Sequence, residues 1–386
     1  MADLGGAGEP PNKKIRIERT LFNRVRTLVN SHKNVLSNAI KKLSTDQWVT
    51  FCFVRILNCN GAYPCSFSRA WCETIRNIQD PTVDECERFI VKFPSIFNIA
   101  LVKQFLDFSD ETDDSTFSDN QLTALQRLAV FLDTLHETNT IMEKQPIKSF
   151  KESGWAAFLG THVLSKLAVS NQMTIDCGYT DKTTTCPCGC MTPIHVGDNS
   201  MGHEAVWHGS VDILLGPVAI VSSCPETLSE VDEERSSAFE MKIGEIEESR
   251  NQVIAETIVF SFTQKSGLVP TICVTRDNMK ILMYDPEFDL LYESSEIQLF
   301  EPLEGLKFNL TTVVALWLAI NYSHFCTGVK PSHEKFGYTA DFKRIVEKAF
   351  PIYNEGMKMG GCKHVKSTIG KYKAPENIGK FPSLDD

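Results

Sequence analysis

Two acids, a lysine and a glutamine fall in order across residues 212–252. Asp212 interrupts the apolar run SVDILL, and Glu240 and Lys242 take alternate positions in SAFEMKIGE. On a strand, alternate side chains point to one face. Gln252 and Glu256 follow at i and i+4 in SRNQVIAETIVFSFTQKSG, one face of a helix. Two carboxylates can hold a hard divalent ion, which takes one or two protein oxygens together with waters and phosphate oxygens. A lysine beside that ion orients or helps deprotonate a water and offsets phosphate charge. A glutamine can fix the water or a phosphate by hydrogen bonds. Hydrolysis of a phosphodiester needs this set of groups. Each also has a plainer reading. Glu240 and Lys242 can be a same-face ion pair on a half-exposed strand, which is worth little. Gln252 and Glu256 can be the polar side of a helix. Asp212 can be a strand-end cap or half of a buried ion pair, although a charge among apolar neighbours needs a partner or an ion.

A second group of residues suits softer chemistry. Cys177, Cys186, Cys188 and Cys190 follow the spacing C-x₈-C-x-C-x-C, with His195, His203 and His208 downstream. Thiolates and imidazoles in tetrahedral array suit Zn²⁺. The usual knuckle is C-x-x-C, and Pro187 and Gly189 between the cysteines predict a turn. The alternatives are a structural zinc on Cys177, Cys186, Cys188 and Cys190, or free thiols. The cysteines at 52, 59, 65, 72 and 86 show no ligand spacing and read as small hydrophobes.

The elements that must position these groups follow from the hydrophobic pattern. Residues 21–43 have broadly helical spacing, LSTDQWVTFCFVRIL continues as an apolar helix, and NQLTALQRLAVFLDTLHE is another, so the first part reads as all-α. KSFKESGWAAFLGTHVLSKLAVSNQ opens a second part, in which short strand-like runs surround the Gln252 helix. LTTVVALWLAINY, about 13 apolar residues, is too short to span a bilayer and reads as a buried helix.

The chain has 386 residues and a net charge of −10, which argues against a whole-surface nucleic-acid binder. Residues 1–45, however, hold nine Lys/Arg against three acids, a local +6 able to meet phosphates. The N-terminal MADLGGAGEPPNKKIRIERT lacks the apolar core of a secretory signal. Thirteen cysteines in such a chain read as reduced thiols. NKKIR fits a nuclear import signal, which favours the nucleus over the cytoplasm.

VDILL…FEMK…QVIAE resembles the PD-(D/E)xK superfamily of restriction-endonuclease-like nucleases, in its RecB and lambda-exonuclease branch. The resemblance covers about residues 150–295 and implies an α/β fold with a mixed central sheet flanked by helices. It implies Mg²⁺ or Mn²⁺ held by Asp212 and Glu240, Lys242 activating the water and Gln252 supporting it. FLGTHVLSKL is similar to the early helix of RecB-type nucleases and makes His162 a further candidate, with Glu256, Glu204, His208 and Glu152 as others. Gly209-Ser210-Val211 stand before Asp212 in place of Pro, and Glu256 stands where the branch carries Tyr. The expected organisation is a disordered basic leader (1–18), an all-α N-terminal domain (19–146), a nuclease-like domain (147–355) with a Cys-rich insertion (177–208), and a Lys/Gly-rich tail (356–386). The expected partner is nucleic acid, DNA before RNA, touched through the phosphate backbone without base readout. The rival expectation is a catalytically inactive scaffold serving as a nuclear nucleic-acid or protein interaction module.

Overall fold

A computed structural model of the chain describes residues 11–45, 48–85, 88, 90–108, 117–144, 152–170, 172–176, 185–216, 219–223, 246–264, 267–302, 306–329, 333 and 337–362. The N-terminal part runs α1 (Pro11–Ser31), α2 (Lys33–Leu43), β1 (Thr50–Cys59), β2 (Cys65–Ser66), β3 (Cys72–Arg76), β4 (Val91–Lys92), α3 (Phe93–Ile96), α4 (Ile99–Leu106) and α5 (Asp119–Lys144). It continues through α6 (Glu152–Leu159), a π-helical turn (Gly160–Leu164), α7 (Ser165–Leu167), β5 (Met173–Asp176), β6 (Val196–Gly197), β7 (Ser200–Gly202), β8 (Trp207–Ser210), β9 (Ile213–Leu215) and β10 (Ala219–Ser223). The last part holds α8 (Ile246–Gln264), β11 (Val269–Val274), β12 (Asn278–Asp285), β13 (Leu290–Ser294), β14 (Ile297–Gln298), α9 (Leu310–Ile320), α10 (Tyr322–Phe325) and β15 (Lys358–Met359). No described helix is long and apolar enough to cross a membrane.

The fold is mixed α/β. Its centre is an eleven-stranded sheet with the order β3-β1-β13-β12-β11-β10-β9-β5-β6, to which β14 adds beside β12 and β4 beside β1. Along that path β10·β11 and β5·β6 are parallel and the other pairs antiparallel. A second sheet, β15-β7-β8-β2, lies apart from it.

Both faces of the large sheet are covered, and the strands show it at period two. Ile281 and Met283 of β12 face one core with Ile272 and Val274 of β11, and that core is roofed by α1, α2, α4, α5, α6 and α9. Leu282 and Tyr284 face the opposite core with Cys273, Val253, Ile254 and Ile258, under α8 and the small sheet. A sheet buried on both sides gives near-continuous apolar runs such as ILMY, not an apolar/polar alternation.

The expected all-α N-terminal part is corrected here. TFCFVRILNC is β1, a ten-residue strand paired with β13 on one side and β3 on the other. Its β-branched and aromatic residues suit a pleated surface buried on both faces, and that preference outweighs the helical spacing. The large sheet therefore runs across residue 146 and takes strands from both sides of it. Of the neighbouring helices, α2, α5 and α9 form where the 3.6-residue pattern places them, while α1 starts at Pro11, inside the segment expected as a disordered leader.

One ionic cluster ties these parts together. Glu293 of β13, 1% exposed, accepts from Arg76 of β3 at 2.9 and 3.2 Å, from Arg250 of α8 at 2.7 Å, and from Lys280 of β12 at 3.2 Å. Burial alone would raise its pKa, but the hydrogen bonds and charge of Arg250, then of Arg76, overcome this and hold it at about 2. A folded-state pKa below the ordinary 4.5 means stability that is fully present above about pH 4.5 and lost as pH falls toward 2. Glu293→Gln should therefore cost about 3 kcal/mol at pH 7, because it strands buried cations. The gap from wild type, measured by denaturant titration at pH 7 and again at pH 3, should shrink at the lower pH.

Candidate functional site

The described residues hold one group of four metal-ligating side chains: His162, Cys186, Cys188 and Cys190, whose ligand atoms all lie within 4.8 Å of one another. His162 sits in the π-helical turn between α6 and α7, a wide turn of a kind that recurs at functional sites. Three hydrogen bonds anchor this helix. Trp155 Nε1 donates to the Thr275 carbonyl at 3.1 Å, Arg127 to that of Ser165 at 3.2 Å, and Asn321 Nδ2 to that of Leu167 at 3.0 Å. Gly160 lets the turn approach β5, since a Cβ there would come within 3.2 Å of Met173 Sδ.

The three thiols come from a tight loop closed by a bridge between Thr185 and Pro193. Cys186 N–H donates to the Thr192 carbonyl at 2.9 Å, and Gly189 takes a φ of +79° that a side chain would resist. His162 Nε2 lies 3.1 Å from Cys188 Sγ, 3.4 Å from Cys190 Sγ and 3.5 Å from Cys186 Sγ. Cys186 and Cys188 Sγ are 3.3 Å apart. Cys186 and Cys188 are buried, whereas Cys190 is exposed. Burial, with the nearby charge of Lys166, holds the His162 pKa at about 4, so its ring is neutral and keeps a lone pair at pH 7. Burial pushes the Cys186 and Cys188 thiols up. Burial acts on Cys190 in the same sense, but the hydroxyl and N–H of Thr192 more than offset it and bring the thiol down. This His/three-Cys cluster can bind a metal such as zinc; it offers nitrogen and sulfur and no carboxylate.

The residue pattern had named Cys177, Cys186, Cys188 and Cys190 for zinc. Cys177 lies outside the described residues, and the fourth ligand atom in the cluster belongs to His162. Nothing local in the sequence couples the two, because His162 precedes Cys186 by 24 residues and reaches it only through the fold. His162, expected near a nuclease cleft, has its Nε2 among the thiols.

Asp212 stands at the entry to β9, half-buried. Its carbonyl accepts from the Asp176 N–H at 2.9 Å and from Asn199 Nδ2 at 3.4 Å. The β5·β9 register, Thr174↔Leu214 and Ile175↔Ile213, continues to Asp176 opposite Asp212. Asp176 is the acid that sequence reasoning missed, since one Asp in TID carries no pattern of its own. Asn199 is buried and clamps this edge, donating also to the Thr174 carbonyl at 2.8 Å, while its own carbonyl accepts from Val211 N–H at 3.3 Å.

Gln252 and Glu256 meet on α8 through a 2.8 Å hydrogen bond from Nε2 to Oε1. They do not form an open polar face, because Glu256 is fully buried. Glu204 is exposed in the turn between β7 and β8 of the small sheet. His208, in β8, is buried, its Nδ1 2.8 Å from the Val206 carbonyl. Glu240 and Lys242 lie outside the described residues, as does the side chain of Glu152.

Comparison with known proteins returns no match to a protein-family model, a curated protein or a solved structure.

The clamp at Asn199 is testable. Asn199→Ala should cost about 1–2 kcal/mol by leaving the Thr174 carbonyl without its donor. It should also speed amide hydrogen exchange at Asp176, whose bond to Asp212 the clamp braces, before exchange in β11 or β12 changes.

Proposed function

We propose that this chain is a metal-dependent nuclease of the PD-(D/E)xK kind, acting in the nucleus with DNA as its preferred substrate. One observation carries the reading: the order and sense of the elements around Asp212. A helix (α6 through α7) precedes β5, β9 and β10, which form an antiparallel run, and α8 then leads to β11, parallel to β10. Asp212 opens the middle strand of that run, and Glu240 and Lys242 fall in the chain between β10 and α8. The fold that the resemblance implies has the acid and the E-x-K pair on neighbouring strands of a mixed sheet; here the strands beside β9 are β5 and β10, and the E-x-K pair follows β10 in the chain.

The donor set at this edge is oxygen, which suits Mg²⁺ or Mn²⁺ and not a thiophilic ion. Asp176 and Asp212 stand opposite each other at the end of the β5·β9 ladder, so their side chains leave one face of the sheet. Asp212 and Glu240 would hold the ion, with Asp176 as a further oxygen donor. What a bound Mg²⁺ supplies is a more acidic water and neutralisation of charge on the phosphate. Lys242 would orient the attacking water and offset the same charge. Gln252, already anchored to Glu256, would hold its amide in a fixed place beside them. The basic segment at residues 1–45 would meet the phosphate backbone outside the reacting centre.

The test is cleavage of labelled single- and double-stranded DNA and RNA with Mg²⁺, with Mn²⁺ and with EDTA. Wild type should cut DNA only with metal. Asp212→Asn and Lys242→Ala, each checked for its fold by circular dichroism, should lose at least about 100-fold in rate. Asp176→Asn should lose less. A folded wild type that cuts nothing would make the chain a non-catalytic interaction scaffold, and cutting that survives both substitutions would place the chemistry elsewhere.

A further inference from the structure

We infer that His162, Cys186, Cys188 and Cys190 hold a single structural zinc ion, which rivets the α6–α7 helix to the Cys loop at the edge of the large sheet. The distances fit one ion. Bonds of about 2.3 Å to sulfur and 2.05 Å to nitrogen in tetrahedral array give N···S edges of about 3.6 Å and an S···S edge of about 3.8 Å. The observed edges of 3.1, 3.4 and 3.5 Å to nitrogen, and 3.3 Å between sulfurs, are that tetrahedron slightly drawn in. The Cys186–Cys188 separation is far beyond a disulfide bond of about 2.05 Å. Four ligand atoms converging on one point suit a mononuclear site, where a multi-iron cluster would hold its sulfurs further apart.

The single-residue spacing that departs from a usual knuckle has its own logic. The Cys186 N–H bonds to the Thr192 carbonyl at 2.9 Å, which folds the loop back on itself and gathers the three sulfurs. Within C-x-C-x-C-x-T, Thr192 also sets its hydroxyl 3.1 Å from Cys190 sulfur, where it accepts from the thiol and can donate to a thiolate. Such outer donors steady thiolates bound to a metal. Three thiolates, a neutral imidazole and Zn²⁺ leave one net negative charge, with Lys166 one helical turn from His162 to offset part of it. Four protein ligands leave no position for water, which marks a structural site and not a catalytic one.

The place of the ion says what it does. The loop runs from the cluster to Ile194, and the His195 carbonyl accepts from Ile175 N–H of β5 at 2.9 Å before β6 pairs with that strand. β6 has two residues and β5 four, too few to hold this margin by ladder bonds alone. A metal staple replaces the core that so short a segment cannot build.

Metal content of the full-length protein, by inductively coupled plasma mass spectrometry after dialysis against a weak chelator, tests this. Wild type and Cys177→Ser should each retain one zinc per chain, while His162→Ala and Cys190→Ser should lose it. Cys190 is exposed, so Cys190→Ser should keep native circular dichroism and separate metal loss from misfolding. In the cobalt-substituted protein the wild type should show tetrahedral d–d bands with sulfur charge transfer, the latter about a third weaker in Cys190→Ser at saturating cobalt, one thiolate of three being gone. A strong chelator should lower the wild-type Tm by at least about 5 °C. Wild type without metal after refolding in zinc, iron in place of zinc, zinc lost in Cys177→Ser, or zinc kept in Cys190→Ser would each overturn the inference. None of these readouts is nuclease activity, so this inference and the nuclease proposal fail separately.

Discussion

Burial of the large sheet on both faces is the constraint from which the rest follows. A strand with apolar cores above and below it cannot alternate apolar and polar residues, so β12 reads ILMY through its middle and β11 is buried along its whole length. Any polar side chain that enters this layer must be matched inside the protein. Glu293 meets that demand with cations drawn from β3, α8 and β12, Arg76 of β3 lying 217 residues away in the chain. A charge that must be neutralised at one point thus fixes where α8 crosses the sheet. Gln252 and Glu256 ride on the same helix, and their placement depends on that crossing.

The opposite margin of the sheet is built differently. β9, β5 and β6 are short, and the candidate chemistry gathers on them: Asp212 and Asp176 across one ladder, the thiol loop beside β6. Short strands contribute few ladder bonds, so this margin relies on side-chain and loop braces. Asn199 spans the β5·β9 pair, and the Cys loop joins the helix carrying His162 to the strand next to Asp212. Reactive groups are commonly drawn from such less self-sufficient segments, supported by a rigid layer behind them.

Two donor sets of opposite character lie along this margin. Nitrogen and sulfur converge at His162 and the cysteines, whereas two carboxylate residues, Asp176 and Asp212, stand opposite each other in register. Thiolates select zinc-like metals, and under the proposed reading the carboxylates would select magnesium-like ones.

Periodicity alone settled the elements that obey one local rule. The α1–α2 region, α5, α8 and α9 follow helical spacing, and the Cys-rich turn declared itself by Pro187 and Gly189, whereas Asp212, read as a charge inside an apolar strand, stands in the step between β8 and β9. What the tertiary structure decided were matters of pairing over distance. TFCFVRIL is compatible with a helix until β13 and β3 offer it partners on both sides. His162 belongs with cysteines 24 and more residues away, and Asp176 acquires meaning only when the register sets it opposite Asp212. The physical reason is the same in each case. Helical spacing and turn chemistry are written within a few residues, but a strand's neighbours, a buried charge's partners and a metal's ligands are chosen by whichever distant segments the shared core brings within a few ångströms.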